Sequence, residues 1–145
     1  MFLKTIETIK GDSLETTAKE TAREQGFRDK FRTGAQLRTT DGHWVRSKAE
    51  ALIDNWLYMA GLVHAYERQL PIEEEVYCDF YVPAGKVYIE YWGYENNPEY
   101  AVRKKAKQEL YQKYNLNLIE LSDEHINNLD DCLPRMLLKF NVVVD

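Results

Sequence analysis

"CDFYVPAGKVYIEYWG", residues Cys78 to Gly93, decides how this chain is read. Two arms rich in aromatic and β-branched residues flank a Pro-Ala-Gly-Lys connection, the pattern of a β-hairpin. With Ala84-Gly85 as the turn, Val82 faces Val87, Tyr81 faces Tyr88, Phe80 faces Ile89 and Asp79 faces Glu90. Directly opposed residues have Cβ atoms about 4.5–5.5 Å apart, and like charges there destabilise a sheet. Alternation places Tyr77, Asp79, Tyr81, Tyr88, Glu90 and Trp92 on one polar aromatic face, with Val76, Cys78, Phe80, Val82, Val87 and Ile89 on an aliphatic one. The repulsion has four resolutions: both acids face solvent, the register is offset by one residue, the acids share a proton, or they share a cation. A hard cation such as Mg²⁺ takes carboxylate oxygens at roughly 2.0–2.1 Å and leaves positions for water and phosphate.

Outward from the hairpin, elements alternate. In "RSKAEALIDNWLYMAG", Ala49, Leu52, Ile53, Trp56, Leu57 and Ala60 recur at helical spacing; Ser47 and Glu50 form a capping-box pair and Gly61 is the stop. "VHAYERQL" and "EEVYCDFYVP" read as strands. "NNPEYAVRKKAKQELYQKY" predicts a helix capped by Asn97 with Pro98 at its first position. "LNLIEL" is a short strand, and "DEHINNLDDCLPRMLLKF" is helical with a break expected at Pro134. The order from Ser47 is αβββαβα. Residues 1–42 form an accessory segment: "SLETTAKETAREQG" is weakly helical, Phe27 and Phe31 share a helical face, and "TGAQLRTTDGHW" is loop-like.

At 145 residues, with no linker-like tract or internal repeat, one α/β domain over 43–145 is expected. Its 44% hydrophobic and 12% aromatic content supports a core, while 30% charged residues and no long apolar run argue against a membrane span. The first residues do not read as a signal peptide, and Cys78 and Cys132, far apart, suit reduced thiols, so a cytoplasmic location is expected. A net charge of −5 argues against coating nucleic acid by bulk charge. Basic islands nevertheless stand at Arg103 to Lys107 and around Arg28, Lys30, Arg32 and Arg38, opposite an acidic "PIEEE" at 71–75. Such runs are also ordinary solvated faces.

A helix bearing Glu50, then three strands bearing Asp79 and Glu90, with the segments "VRSKAE", "AYERQL", "CDFYVP" and "VYIEYWG", resembles the PD-(D/E)XK nuclease superfamily over about Gly42 to Phe140. The resemblance implies a restriction-endonuclease-like αβββαβ core with a mixed sheet of about four strands. It further implies Mg²⁺ or Mn²⁺ held by Asp79, Glu90, Glu50 and the Tyr91 backbone carbonyl. The motif lysine is missing: "EYW" places Trp92 where Glu-x-Lys is expected. Some members supply this lysine from the next helix, and Lys107 is the candidate, lying on a stripe with Tyr100, Arg103, Leu110, Tyr111 and Tyr114.

Each residue also has a plainer role. Glu50 completes a capping box, Lys107 can snorkel past Tyr111, and Glu67 either supports the site from behind the ligands or pairs with a basic side chain. Arg46, Lys48, Arg103, Lys104 and Lys105 are the candidate contacts to nucleic acid. His43, His64 and His125 share no ligand spacing and are read as structural or surface residues. The expected activity is metal-dependent phosphodiester hydrolysis of DNA, with a homodimer or a larger DNA-processing complex as the assembly. Its competitors are an inactive nuclease-like module that binds nucleic acid or a protein, and a structural protein whose acids only confer solubility.

Overall fold

The computed structural model describes residues 37–93 and 96–145; the predicted helix within 13–26 and the basic residues 28, 30 and 32 lie outside them. A small antiparallel pair, β1 (Leu37–Arg38) and β2 (Trp44–Val45), precedes helix α1 (Lys48–Met59). Then come β3 (Ala65–Tyr66), β4 (Phe80–Val82), β5 (Val87–Tyr91), α2 (Pro98–Lys113), β6 (Asn117–Leu121), α3 (Asp123–Ile126) and α4 (Leu129–Leu138). The main sheet has the order β3-β4-β5-β6, antiparallel except for the parallel β5–β6 pair, which α2 connects. The fold is therefore α/β with a four-stranded mixed sheet. The boundary expected after Gly42 falls inside the β1–β2 pair, whose register joins Leu37 to Val45.

Local chemistry explains the element ends. Ser47 Oγ accepts from Glu50 N (3.1 Å), while the Glu50 carboxylate accepts from Arg46 N (3.0 Å), one residue before the partner a capping box uses. Gly61, with φ of 76°, ends the helix in the left-handed region that favours glycine. Asn97 Oδ1 caps α2 by accepting from Glu99 N and Tyr100 N. The hairpin keeps the expected register, but a 3₁₀ turn over Pro83–Gly85 and left-handed Lys86 connect it rather than two residues alone. A Cβ on Gly85 would lie 2.5 Å from a Val142 methyl carbon, so this turn packs too closely on the C-terminal chain for a side chain.

Two differently built layers cover the sheet. On one face Ile53 and Leu57 of α1 and Leu133 and Leu137 of α4 bury Phe80, Val82, Val87, Ile89, Ile119 and Leu121 in an aliphatic core. On the other, Leu70, Cys78, Tyr88 and Tyr111 form a smaller cluster, joined by Val76. Cys78 and Val76 thus pack on the side opposite to that expected, because β4 begins only at Phe80, after a bend at Asp79, so strict alternation does not extend to these positions. The C-terminal helical stretch breaks at Asn127–Asn128, not at Pro134, which lies inside α4. Asn128, at φ −139° and ψ 39°, leaves the helical region, whereas Pro134 forfeits a single intrahelical donor in an otherwise strongly amphipathic helix. Among the described residues no helix is long and apolar enough to cross a membrane.

Candidate functional site

The α2 side of the sheet is where chemistry concentrates. Tyr111 is the one residue of α2 that is fully buried, so this helix meets the sheet largely through polar groups. Lys107 Nζ lies 3.0 Å from Glu90 Oε1 and 2.9 Å from Oε2, and the Tyr111 hydroxyl donates to Glu90 Oε2 at 2.5 Å. Gln108 donates to Glu120, which also accepts from Trp92 Nε1 at 2.9 Å. The resulting cavity of about 470 Å³ is lined by Asp79, Glu90, Trp92, Tyr100, Lys104 and Lys107 among others.

The ladder pairing ends at Phe80–Ile89, and Asp79 sits at a bend just before β4, next to Glu90. Asp79 Oδ2 accepts from Tyr91 N at 2.8 Å, which ties its carboxylate to the strand carrying Glu90. Glu90 is only 1% exposed. Burial, reinforced by the charge of Asp79, pushes its carboxyl up to about 8, and burial also raises Asp79. Lys107 loses solvation but faces both acids, and their attraction holds its ammonium above the usual lysine value. Two acids and one lysine packed together are neutral as an ammonium, one carboxylate and one carboxylic acid. A proton shared between Asp79 and Glu90 is therefore the metal-free answer to their repulsion.

Glu50 enters from α1. Its carboxyl, raised to about 7 by burial and then by the charge of Asp79, accepts from the Tyr66 hydroxyl at 2.8 Å. Glu67, 5% exposed, also acts electrostatically on Asp79 and Glu50, and Arg46 neutralises it through a two-pronged ion pair with one contact at 3.0 Å. Arg46 thus pairs with Glu67 while its side chain stays partly exposed. Lys48 is exposed at the start of α1. Arg103 and Lys104 line the cavity, their cationic heads 5.8 Å from the Tyr100 ring and 5.5 Å from the Trp92 ring. Lys105 is exposed and is not among the lining residues. The Tyr91 carbonyl accepts from the Tyr100 hydroxyl at 3.4 Å and so faces the same region.

Asp79 and Glu90 are adjacent acids whose charges oppose each other, and Glu50 feels the charge of Asp79, but among the described residues these three do not gather their oxygens into one cluster of the kind that Asp41, His43, Asp54 and His64 form. Glu90 Oε2 meets both Lys107 and Tyr111, whereas Oε1 meets Lys107 and retains a further lone pair. Sequence spacing did not mark a second group, Asp41, His43, Asp54 and His64, whose candidate ligand atoms lie within 4.8 Å of one another. Its one legible signal is Asp54, a charge beside Ile53 and Leu57 on a buried face of α1. No family model, curated protein or solved structure matches this chain.

Proposed function

We propose that Asp79, Glu90, Glu50 and Lys107 form a metal-dependent phosphodiesterase centre acting on nucleic acid, with DNA as the expected substrate, built on a restriction-endonuclease-like core. The observation that carries this reading is Lys107 Nζ on the Glu90 carboxylate, with Asp79 raised beside it. A helix supplies the cation that the strand motif lacks, at the edge of an accessible cavity. The order α1-β3-β4-β5-α2-β6 supports the family reading, being the element order that such a core requires.

Asp79, Glu90, Glu50 and the Tyr91 carbonyl would hold Mg²⁺ or Mn²⁺, which when bound polarises a phosphate and lowers the pKa of water. One of these acids or Lys107 would orient the attacking water. The Lys107 ammonium would stabilise charge growing on the phosphoryl oxygens as the new P–O bond forms and the leaving P–O bond breaks. Arg103 and Lys104 would hold the backbone at the rim without reading bases. Replacing Lys107 by Ala is expected to slow hydrolysis by about 10²-fold or more while leaving substrate affinity nearly unchanged. Unchanged turnover in that variant would remove Lys107 from the mechanism.

Trp92 supports a second reading. It occupies the expected lysine position, donates to Glu120 and lies beneath Lys104, so an inactive module that retains the fold and binds nucleic acid or a protein is the alternative. Cleavage by the parent protein separates the two.

A further inference from the structure

The group at the start of the domain has a different character from the carboxylates under α2. Asp54 is 0% exposed inside α1, and the His64 side chain is 3% exposed. His64 Nδ1 lies 2.8 Å from the Leu62 carbonyl, a contact that requires Nδ1–H and turns Nε2 inward as a lone pair in the neutral ring. That Nε2 faces Asp41 Oδ2 at 3.1 Å and Asp54 Oδ1 at 3.3 Å, yet neither Asp54 Oδ1 nor His64 Nε2 has a hydrogen-bond partner. Lone pairs from a ring and two carboxylates therefore converge on one buried point. His43 Nδ1 completes the group, 3.3 Å from Asp41 Oδ1 and 2.7 Å from Asp54 Oδ2.

We propose that Asp41, His43, Asp54 and His64 bind one divalent transition-metal ion of the zinc class, which pins the turn over residues 39–43 to helix α1. Bonds of ~2.0–2.1 Å in a tetrahedron separate ligand atoms by about 3.3 Å, and His64 Nε2 stands at 3.1 Å from Asp41 Oδ2 and 3.3 Å from Asp54 Oδ1, with one ligand atom from each of the four residues within 4.8 Å of the others. Two carboxylates and two neutral imidazoles carry a charge of −2, which such an ion cancels. Paired imidazoles select the zinc class over Mg²⁺ and Ca²⁺, whose sites are built from oxygen. The supporting groups are already in place. Thr39 Oγ1 donates to Asp41 Oδ1 at 2.5 Å and accepts from His43 N at 3.0 Å, Asn55 Oδ1 accepts from Thr40 N at 2.9 Å, and the Leu62 carbonyl fixes the His64 tautomer. A separate cavity of about 360 Å³, bordered by Tyr58 and Val63, gives the ion a route from solvent.

The test is Zn²⁺ titration of the full-length, metal-stripped chain against a chromophoric chelator, with Co²⁺ as a spectroscopic substitute. One Zn²⁺ per chain is expected in the parent and equally in an Asp79→Asn/Glu90→Gln variant, which removes the other metal candidate. Tetrahedral Co²⁺ bands should accompany it. Asp54→Asn and His43→Ala should each weaken binding by at least ~100-fold, and Thr39→Val by about 10-fold, the scale of a lost supporting hydrogen bond. His43 sits at the exposed rim, so its variant remains interpretable when a circular dichroism spectrum matches the parent's. Zn²⁺ binding that survives in folded His43→Ala overturns the proposal. So does a parent that binds no Zn²⁺ and loses stability as pH rises through the imidazole range, because a proton then fills the gap.

Discussion

Glu90→Gln isolates the electrostatic cost at the centre. The Glu90 carboxyl stands at about 8 in the folded chain against an ordinary 4.5, because burial and Asp79 both oppose its ionisation. At ~1.4 kcal/mol per pKa unit, that difference corresponds to about 4–5 kcal/mol. The sign follows from linkage: below pH 4.5 Glu90 is protonated in both states and costs nothing, and between 4.5 and 8 the unfolded chain releases its proton first. Metal-free stability therefore falls as pH rises across that window and levels off above it. The glutamine amide is uncharged at every pH and can still accept from Lys107 and Tyr111, but Lys107 then loses half of its counter-charge. About 2 kcal/mol of net gain at pH 8 is the expectation, roughly half the full difference. Urea unfolding in chelator from pH 4 to 9 measures it: parent and variant should coincide at the acid end and diverge towards pH 8. Added Mg²⁺ should stabilise the parent and leave the variant nearly unmoved. A variant less stable than the parent at pH 8, or a gap independent of pH, would refute the reasoning.

Tyr111→Phe deletes the hydroxyl that donates to Glu90 and should cost about 1–2 kcal/mol of stability, read by denaturant melts, with the Glu90 titration moving further up. Lys104→Ala, at the cavity rim, should weaken DNA binding and lower its salt slope by about one charge, whereas Lys105→Ala, outside the lining, should have a smaller effect; fluorescence anisotropy across a salt series distinguishes them.

The hairpin was legible because side-chain alternation and a short turn fix its register over Phe80–Val82 and Val87–Ile89, and that register brings Asp79 close to Glu90 although Asp79 itself lies at a bend before the strand. Helices α1 and α2 were legible from Ser47, Gly61, Asn97 and Pro98, each of which acts within one turn of chain. The Lys107 stripe was legible for the same reason, although its contact with Glu90 required a tertiary fold to complete it. Features set by distant packing were hidden. Cys78 takes its side from the bend at Asp79 that precedes β4, and Arg46 finds Glu67 across 21 residues. His43 and His64 come from a turn and from the approach to β3, so only the folded chain brings them to Asp54. Periodicity does not report such convergence, and Asp54 on a buried face of α1 was the one local irregularity that marked it.

The central claim, a metal-dependent phosphodiesterase centre on Asp79 and Glu90, is tested most directly by incubating the parent chain and Asp79→Asn with single-stranded, duplex and branched DNA. Each is run in Mg²⁺, Mn²⁺ or chelator, and products are resolved on denaturing gels. The account predicts cleavage by the parent of at least one substrate in Mg²⁺ or Mn²⁺, none in chelator, and a loss of about 10²-fold or more in Asp79→Asn. Cleavage that persists in chelator, or that Asp79→Asn performs as fast as the parent, would contradict it, and a folded parent that cuts none of these substrates would leave the binding module in its place.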